Sequence, residues 1–357
     1  MKRISTILLV LLAAAAAMAQ QQPQPQPQPF GEKIDVNVVL LDAIVTDSRG
    51  HQILGLGPDD FVVTENGVPQ KIQSVDYFTN RKNVSTPESK AEFKVERTRE
   101  ERYFVLFFDK PSEGTLQNRL VHARGAAVDF INNQMKPNDL VAVAGHDVRL
   151  KVYSDFTNDK KQLARALDDA IAFGRGVLDT PAGTPAAPSI FRTVNRSRMM
   201  SHTGTTYEAL EVLADALRPI KARKDLVLFS AGILTPDQVV QKGMAVNQSR
   251  FYDRAIHALN TADVSVYPAN IVDQPNIAPV YHQALEGLAI DTNGEYFRFN
   301  TTFTGALRRV EQDTNGYYLI SYTAPKPKGT SGFQKVQVTV KNPDFKVRAR
   351  EGYSFGS

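Results

Sequence analysis

The chain has no cysteine. That excludes disulfides, thiolate metal sites and any lipid attached through sulfur. It also lacks a long apolar run after its first twenty residues, so no later segment has the roughly 20 apolar residues needed to span a bilayer. Its six histidines are scattered, and none falls in H-E-x-x-H spacing. A nucleophile elbow of the form G-x-S-x-G is missing; the nearest stretch, Leu228-Phe229-Ser230-Ala231-Gly232, has Leu at the first Gly position. Charge of one sign is scarce as well. The formal net charge of +4 falls to +2 without Lys2 and Arg3, too little to argue for nucleic acid or a membrane surface.

What is present divides the 357 residues into distinct stretches. Residues 1–19 read as a secretory signal, with Lys2 and Arg3, an apolar stretch and the small-residue site Ala17-Met18-Ala19. Export to the periplasm or beyond the cell is therefore expected. Residues 20–33 open with alternating Gln and Pro and read as an extended tether. Residues 34–79 alternate apolar and polar like antiparallel strands, with an Asn66-Gly67 hairpin signal. Residues 80–101 are polar and read as a linker. Residues 102–315 alternate strand and helix, which predicts a doubly wound, mostly parallel α/β sheet. Within them, 139–144 and 296–299 read as strands, and 174–201 as a long loop made basic by Arg175, Arg192, Arg196 and Arg198. Arg223 and Lys224 read as a second basic turn. Residues 316–357 hold three more alternating strands. Neither β-stretch can close a core alone, so the expectation is one small β-sandwich built from both ends of the chain.

Two continuous apolar runs mark buried parallel strands. The first is Tyr103 to Phe108, closing on Asp109; the second is Leu226 to Phe229, closing on Ser230. Ligands of open α/β sheets sit beyond such carboxyl ends, so Asp109 and Ser230 are the first places to look for function.

These elements, in this order, resemble a von Willebrand factor A (VWA) domain. More narrowly, they resemble the VWFA-related family abundant in Acidobacteria. The likeness is carried by Val45-Thr46-Asp47 with Asp60-Phe61-Val62-Val63, by the run ending at Asp109, and by Asp263-Val264-Ser265-Val266-Tyr267-Pro268. It continues through Tyr317-Tyr318-Leu319-Ile320-Ser321-Tyr322 and Arg350-Glu351-Gly352-Tyr353. The resemblance implies a binding module rather than an enzyme, with a protein or a cell-envelope polymer as partner. It also implies Mg²⁺ at the strand ends, held by a D-x-S-x-S loop, a Thr and a later Asp. Here Asp109 matches the first position, Pro111 and Glu113 stand where the two Ser belong, and Ser230 replaces the later Asp. Thr205 and Thr206 both offer the hydroxyl. The candidate metal set is thus Asp109, Glu113, Thr206 and Ser230, a degenerate site of weak divalent affinity at most. Alternatively, Asp109 caps a helix or pairs with a neighbouring cation. A hydrolase using Asp109 and a structural subunit of the envelope are the competing functions. No paired His, second Asp or Lys converges on Asp109 by sequence to support the hydrolase.

Overall fold

The structure is a computed structural model. It describes residues 35–79, 95–97, 101–111, 117–177, 188–201, 203–220, 222–233, 240–241, 244–245, 249–272, 279–298, 303–314, 316–326 and 332–355. The strands are β1 (Asp35–Thr46), β2 (Phe61–Glu65), β3 (Val68–Gln70), β4 (Ile72–Thr79), β5 (Val95–Arg97), β6 (Arg102–Asp109), β7 (Asp139–His146) and β8 (Leu150–Thr157). They continue with β9 (Lys224–Ser230), β10 (Val240–Gln241), β11 (Met244–Ala245), β12 (Val264–Asn270), β13 (Gly316–Lys326), β14 (Gly332–Val340), β15 (Lys346–Ala349) and β16 (Gly352–Phe355).

The central sheet runs β12-β9-β6-β7-β8. Its first four strands are parallel and β8 closes the edge antiparallel. Alternate residues of β6 face opposite layers, which is why its sequence is apolar throughout. Tyr103, Val105 and Phe107 pack with Tyr207, Leu210, Leu213, Leu259 and Leu285. Phe104, Leu106 and Phe108 pack with Leu120, Leu163, Leu167 and Leu307. Helices thus cover both faces of a mixed α/β unit, as the strand–helix alternation predicts.

Two larger antiparallel sheets accompany it, in the orders β15-β1-β13-β4 and β16-β14-β2-β3, with β5 parallel to β4 at the edge of the first, and β10 pairs with β11 in a separate two-stranded antiparallel ladder. Strands from the two ends of the chain are direct neighbours. Leu41 lies opposite Ile320, Val63 opposite Val338, and Phe61 opposite Val340. Leu41, Val45, Phe61, Val63, Tyr318, Ile320, Tyr322 and Val336 share one buried cluster. Asn66 and Gly67 both have positive φ, 49° and 81°, the tight hairpin that Asn-Gly favours.

Several expectations need correcting. The strand expected at 296–299 is a single bridge, Ala269 to Phe297. The expected linker contains β5, and β8 forms where no strand is expected. The 174–201 stretch carries two short helices, Ile190–Thr193 and Arg196–Met200. Its Arg198 is bound inward to Glu211 and Asp215, both at 2.8 Å. The Arg223–Lys224 turn is not a basic surface at all. Lys224 is fully buried, its ammonium donating to the carbonyls of Ile220 and Ala222. A buried ammonium is tolerable when carbonyl dipoles replace its water.

Arg223 belongs to a charged seam between the α/β unit and the antiparallel sheets. It lies at the amino ends of the parallel strands and reaches Asp42 of β1 at 2.7 Å, Asp225 at 3.1 Å and the Tyr267 hydroxyl at 2.9 Å. Arg350 reaches the same Asp42 at 3.1 Å and also pairs with Asp263. Asn293 donates to Asp42 at 2.9 Å. Arg348 joins Glu295 and Asp313, and Arg102 grips Asp139 with two parallel hydrogen bonds of 2.7 and 2.5 Å. Burial alone would raise the Asp42 pKa, but Arg350 and Arg223 outweigh it and hold the carboxyl below its ordinary value.

Candidate functional site

With the amino ends of the strands sealed, the carboxyl ends lie on the opposite side of the sheet. Asp109 ends β6 and His146 ends β7, directly opposite it in the ladder. Gly145 makes this close pairing feasible: a Cβ there would lie 2.5 Å from the Phe108 carbonyl oxygen. Ser230 ends β9 on the other side of β6. The fourth side chain comes from the helix Thr206–Leu217. Thr205 is its N-cap and takes part in a capping box with Glu208, so its hydroxyl is used in the helix turn. That leaves Thr206 facing the strand ends and decides between the two threonines.

The four side chains form one hydrogen-bonded cluster. Thr206 Oγ1 donates to Asp109 Oδ1 at 2.9 Å, and Ser230 Oγ donates to Asp109 Oδ2 at 2.7 Å. His146 Nδ1 stands 3.3 Å from Asp109 Oδ1 and 3.3 Å from Thr206 Oγ1. Its other nitrogen, Nε2, is 3.3 Å from the Thr203 carbonyl. Both ring nitrogens therefore face acceptors, an arrangement that suits the imidazolium. Burial pulls the His146 pKa down, but the hydrogen bond and charge of Asp109, with the Thr203 carbonyl, outweigh it and the net shift is upward. All four side chains are buried. Tyr207, beside Thr206, is fully buried; burial and the Asp109 charge both push its hydroxyl pKa up.

As a Mg²⁺ site this set falls short. Mg²⁺ takes six oxygens in near-octahedral geometry. The described residues supply one carboxylate, whose two oxygens already hold three polar neighbours, two hydroxyls and an imidazole. Pro111 brings no side-chain ligand. Among the described residues no group of three or more His, Cys, Asp or Glu converges as a metal cage would. Glu113 and His202 lie outside the described residues. Asp109, Thr206 and Ser230 lie together, and His146, a paired histidine that the sequence does not lead one to expect, joins them. Its signal was there: reading the 139–144 strand two residues further ends it on His146, level with Asp109.

A second polar group closes the neighbouring strand end. Asn270 ends β12, and His282 Nδ1 lies 3.1 Å from its amide and 2.6 Å from the Tyr296 hydroxyl. His282 is buried, a packing residue rather than a surface one, and burial lowers its pKa.

The α/β unit has a mostly parallel five-stranded sheet covered by helices on both faces. Among solved structures, the chain is similar to an aerotolerance-related membrane protein from Bacteroides fragilis, at 12% identity and TM-score 0.38, covering 60% of this chain and 98% of that one. It is similar to the vWF domain of the type V pili tip protein Mfa5 from Porphyromonas gingivalis, at 12% identity and TM-score 0.41, covering 60% and 95%. A third match is the PilB minor pilin from Streptococcus sanguinis, at 10% identity and TM-score 0.39, covering 77% and 86%. No family model and no curated protein matches the chain.

Proposed function

We propose that this chain is an exported VWA-like binding protein that engages another protein or a cell-envelope polymer at the carboxyl ends of its parallel strands. The observation that carries the reading is the state of the strand-end cluster. Asp109, His146, Thr206 and Ser230 are buried and hydrogen-bonded to one another. A nucleophile or general base must present a free atom to its substrate. Here both Asp109 oxygens are engaged, so the cluster acts as a brace beneath a binding face, and the hydrolase reading loses its key residue. In this proposal the antiparallel sheets form a small sandwich from residues 34–79 and 316–357. It holds the amino ends of the 102–315 unit and turns the opposite end toward the partner. The signal-like residues 1–19 and the Gln/Pro-rich residues 20–33 support a periplasmic or extracellular location. Among the described residues no helix is long and apolar enough to cross a membrane. Mg²⁺ contributes little, because an imidazole occupies the neighbourhood of the one carboxylate.

The test is capture of partners from the native cell envelope by the tagged full chain, with and without EDTA. Capture should survive EDTA and weaken in Asp109→Ala, provided that the variant still melts cooperatively. Undiminished capture by Asp109→Ala would locate the partner elsewhere on the molecule.

A further inference from the structure

A cavity of about 430 Å³ opens along the seam, on the side where the helix Ser249–Thr261 meets β14 and β16. This is within the size range of small-ligand pockets, roughly 300–1,000 Å³. Its lining comes from segments far apart in sequence. Tyr252, Asp253, Ile256 and His257 belong to the helix, Asp291 ends the following helix, Phe333 and Lys335 lie on β14, and Glu351 precedes β16. It therefore exists only when the α/β unit and the antiparallel sheets are assembled.

Two features define what it would accept. The first is a pair of aromatic walls. Tyr252 is anchored at both ends: its ring meets Tyr207 edge-on at 5.4 Å, and its hydroxyl donates to Asp291. Phe333 is half exposed, at 49%, yet its position is built. Its ring lies over Gly352, where a Cβ would come within 2.2 Å of the ring. A glycine at that position clears the space for an apolar side chain that faces the cavity instead of a core. The second feature is charge. Asp253 and Glu351 are exposed at the rim and Asp291 stands behind Tyr252, against Lys335 as the one Lys or Arg among the described lining residues. Aromatic faces and carboxylates both favour a cation, and the aromatic faces and Ile256 favour an apolar body.

We propose that this seam pocket binds an organic cation, an ammonium or guanidinium group carried on an apolar body, against Tyr252, Phe333 and the carboxylates of Asp253 and Glu351. This site is distinct from the strand-end cluster. Its ligand touches both parts of the molecule and so tightens their union.

The experiment titrates the full chain with phenethylamine and, in parallel, with phenylpropionate, which has a similar body and the opposite charge. Binding is followed by calorimetry and by the melting temperature. Phenethylamine should bind at least about tenfold tighter than phenylpropionate, the worth of one charge-assisted contact. Phe333→Ala, and separately Asp253→Asn with Glu351→Gln, should each weaken the amine about tenfold. These are exposed positions, and the amine-to-acid ratio on the unaltered chain needs no variant at all. Asp109→Asn should leave amine binding unchanged, which separates this site from the strand-end face. A blocked tetrapeptide with lysine beside phenylalanine distinguishes the two sources of such a cation. Tighter binding than the amine assigns the pocket to a partner's side chain, weaker binding to a free amine. Equal affinity for amine and acid, or no binding of the amine at millimolar concentration, overturns the proposal.

Discussion

Asp42→Ala should cost the protein much of its stability, although the residue lies far from the candidate site. Asp42 is a single carboxylate shared by Arg223 at 2.7 Å, Arg350 at 3.1 Å and the Asn293 amide at 2.9 Å. Removing one partner of a buried pair leaves its counterpart charged and unpaired, at a cost of about 3–5 kcal/mol. Here Arg223 keeps Asp225 and Arg350 keeps Asp263, so the expected loss is at the lower end, about 3 kcal/mol. For a chain of this size about 2 °C of melting temperature goes with each kcal/mol, giving a fall of roughly 6 °C. The measurement is a circular-dichroism melt at neutral pH and physiological salt, beside Arg124→Ala as a control. Arg124 pairs with Asp168 at an exposed position, where about 0–1 kcal/mol is expected. Acid adds a second check. The folded pKa of Asp42 is depressed, so its contribution is present above the unfolded value and is lost as pH falls through the folded one. The gap between wild type and Asp42→Ala should therefore close in strong acid. A melting temperature for Asp42→Ala matching that of Arg124→Ala would refute the seam as a stabilising element.

Three further outcomes are expected. Millimolar Mg²⁺ or EDTA should shift the melting temperature by less than about 1 °C; a site filled at 100 times its Kd would stabilise by roughly 2.7 kcal/mol, so a rise of several degrees would show that Mg²⁺ is held after all. For His146 the folded pKa is raised, so its stabilisation is complete below the unfolded value of about 6.5 and is lost as pH rises through the folded value. His146→Ala should thus destabilise more at about pH 5.5 than at about pH 8.5, and the opposite order would contradict an imidazolium held by Asp109. Deleting residues 316–357 removes the neighbours of β1, β4 and β2, so limited proteolysis should cut the front strands first; protection of those strands in the truncated chain would mean that they fold independently.

Much of the fold could be read from residues whose neighbours are local or whose pattern is absolute. Continuous apolar runs marked β6 and β9, and Asn66-Gly67 marked its hairpin, because burial on both faces and positive φ leave little choice of residue. The core of 316–357 alternated visibly, but its break at Arg350-Glu351 did not show. There the chain leaves β15, which pairs with β1, and enters β16, which pairs with β14. Nothing local announces a change of sheet. The charged seam was illegible for a related reason. Arg223 and Lys224 look like any surface turn until Asp42, some 180 residues away, and the carbonyls of Ile220 and Ala222 are known to meet them. At the strand ends, Asp109 and Ser230 could be named from the apolar runs, and Thr205 or Thr206 from the resemblance to a VWA domain. His146 escaped because β7 ends in Gly145-His146, which interrupts the apolar pattern where the close approach to Phe108 requires a glycine.

The two ends of the central sheet spend their polar residues differently, and the difference fits the roles proposed for them. At the amino ends, full charges face full charges: Arg102 with Asp139, Arg223 with Asp42 and Asp225, Arg350 with Asp42 and Asp263. Such pairs, once desolvated, tolerate little displacement, because separating them leaves a buried charge without a partner. They suit a joint that must not move. At the carboxyl ends one carboxylate is shared among two hydroxyls and one imidazole. Hydroxyls rotate to suit a new neighbour, and an imidazole exchanges a proton near neutral pH. That end can adjust to a partner at small cost, while the opposite end keeps β1, β13 and β15 locked beneath it. A loss of recognition that exceeds the loss of stability is therefore the expected signature of changes at Thr206 or Ser230. A loss of stability with recognition intact in the surviving folded fraction is the signature of changes at Asp42.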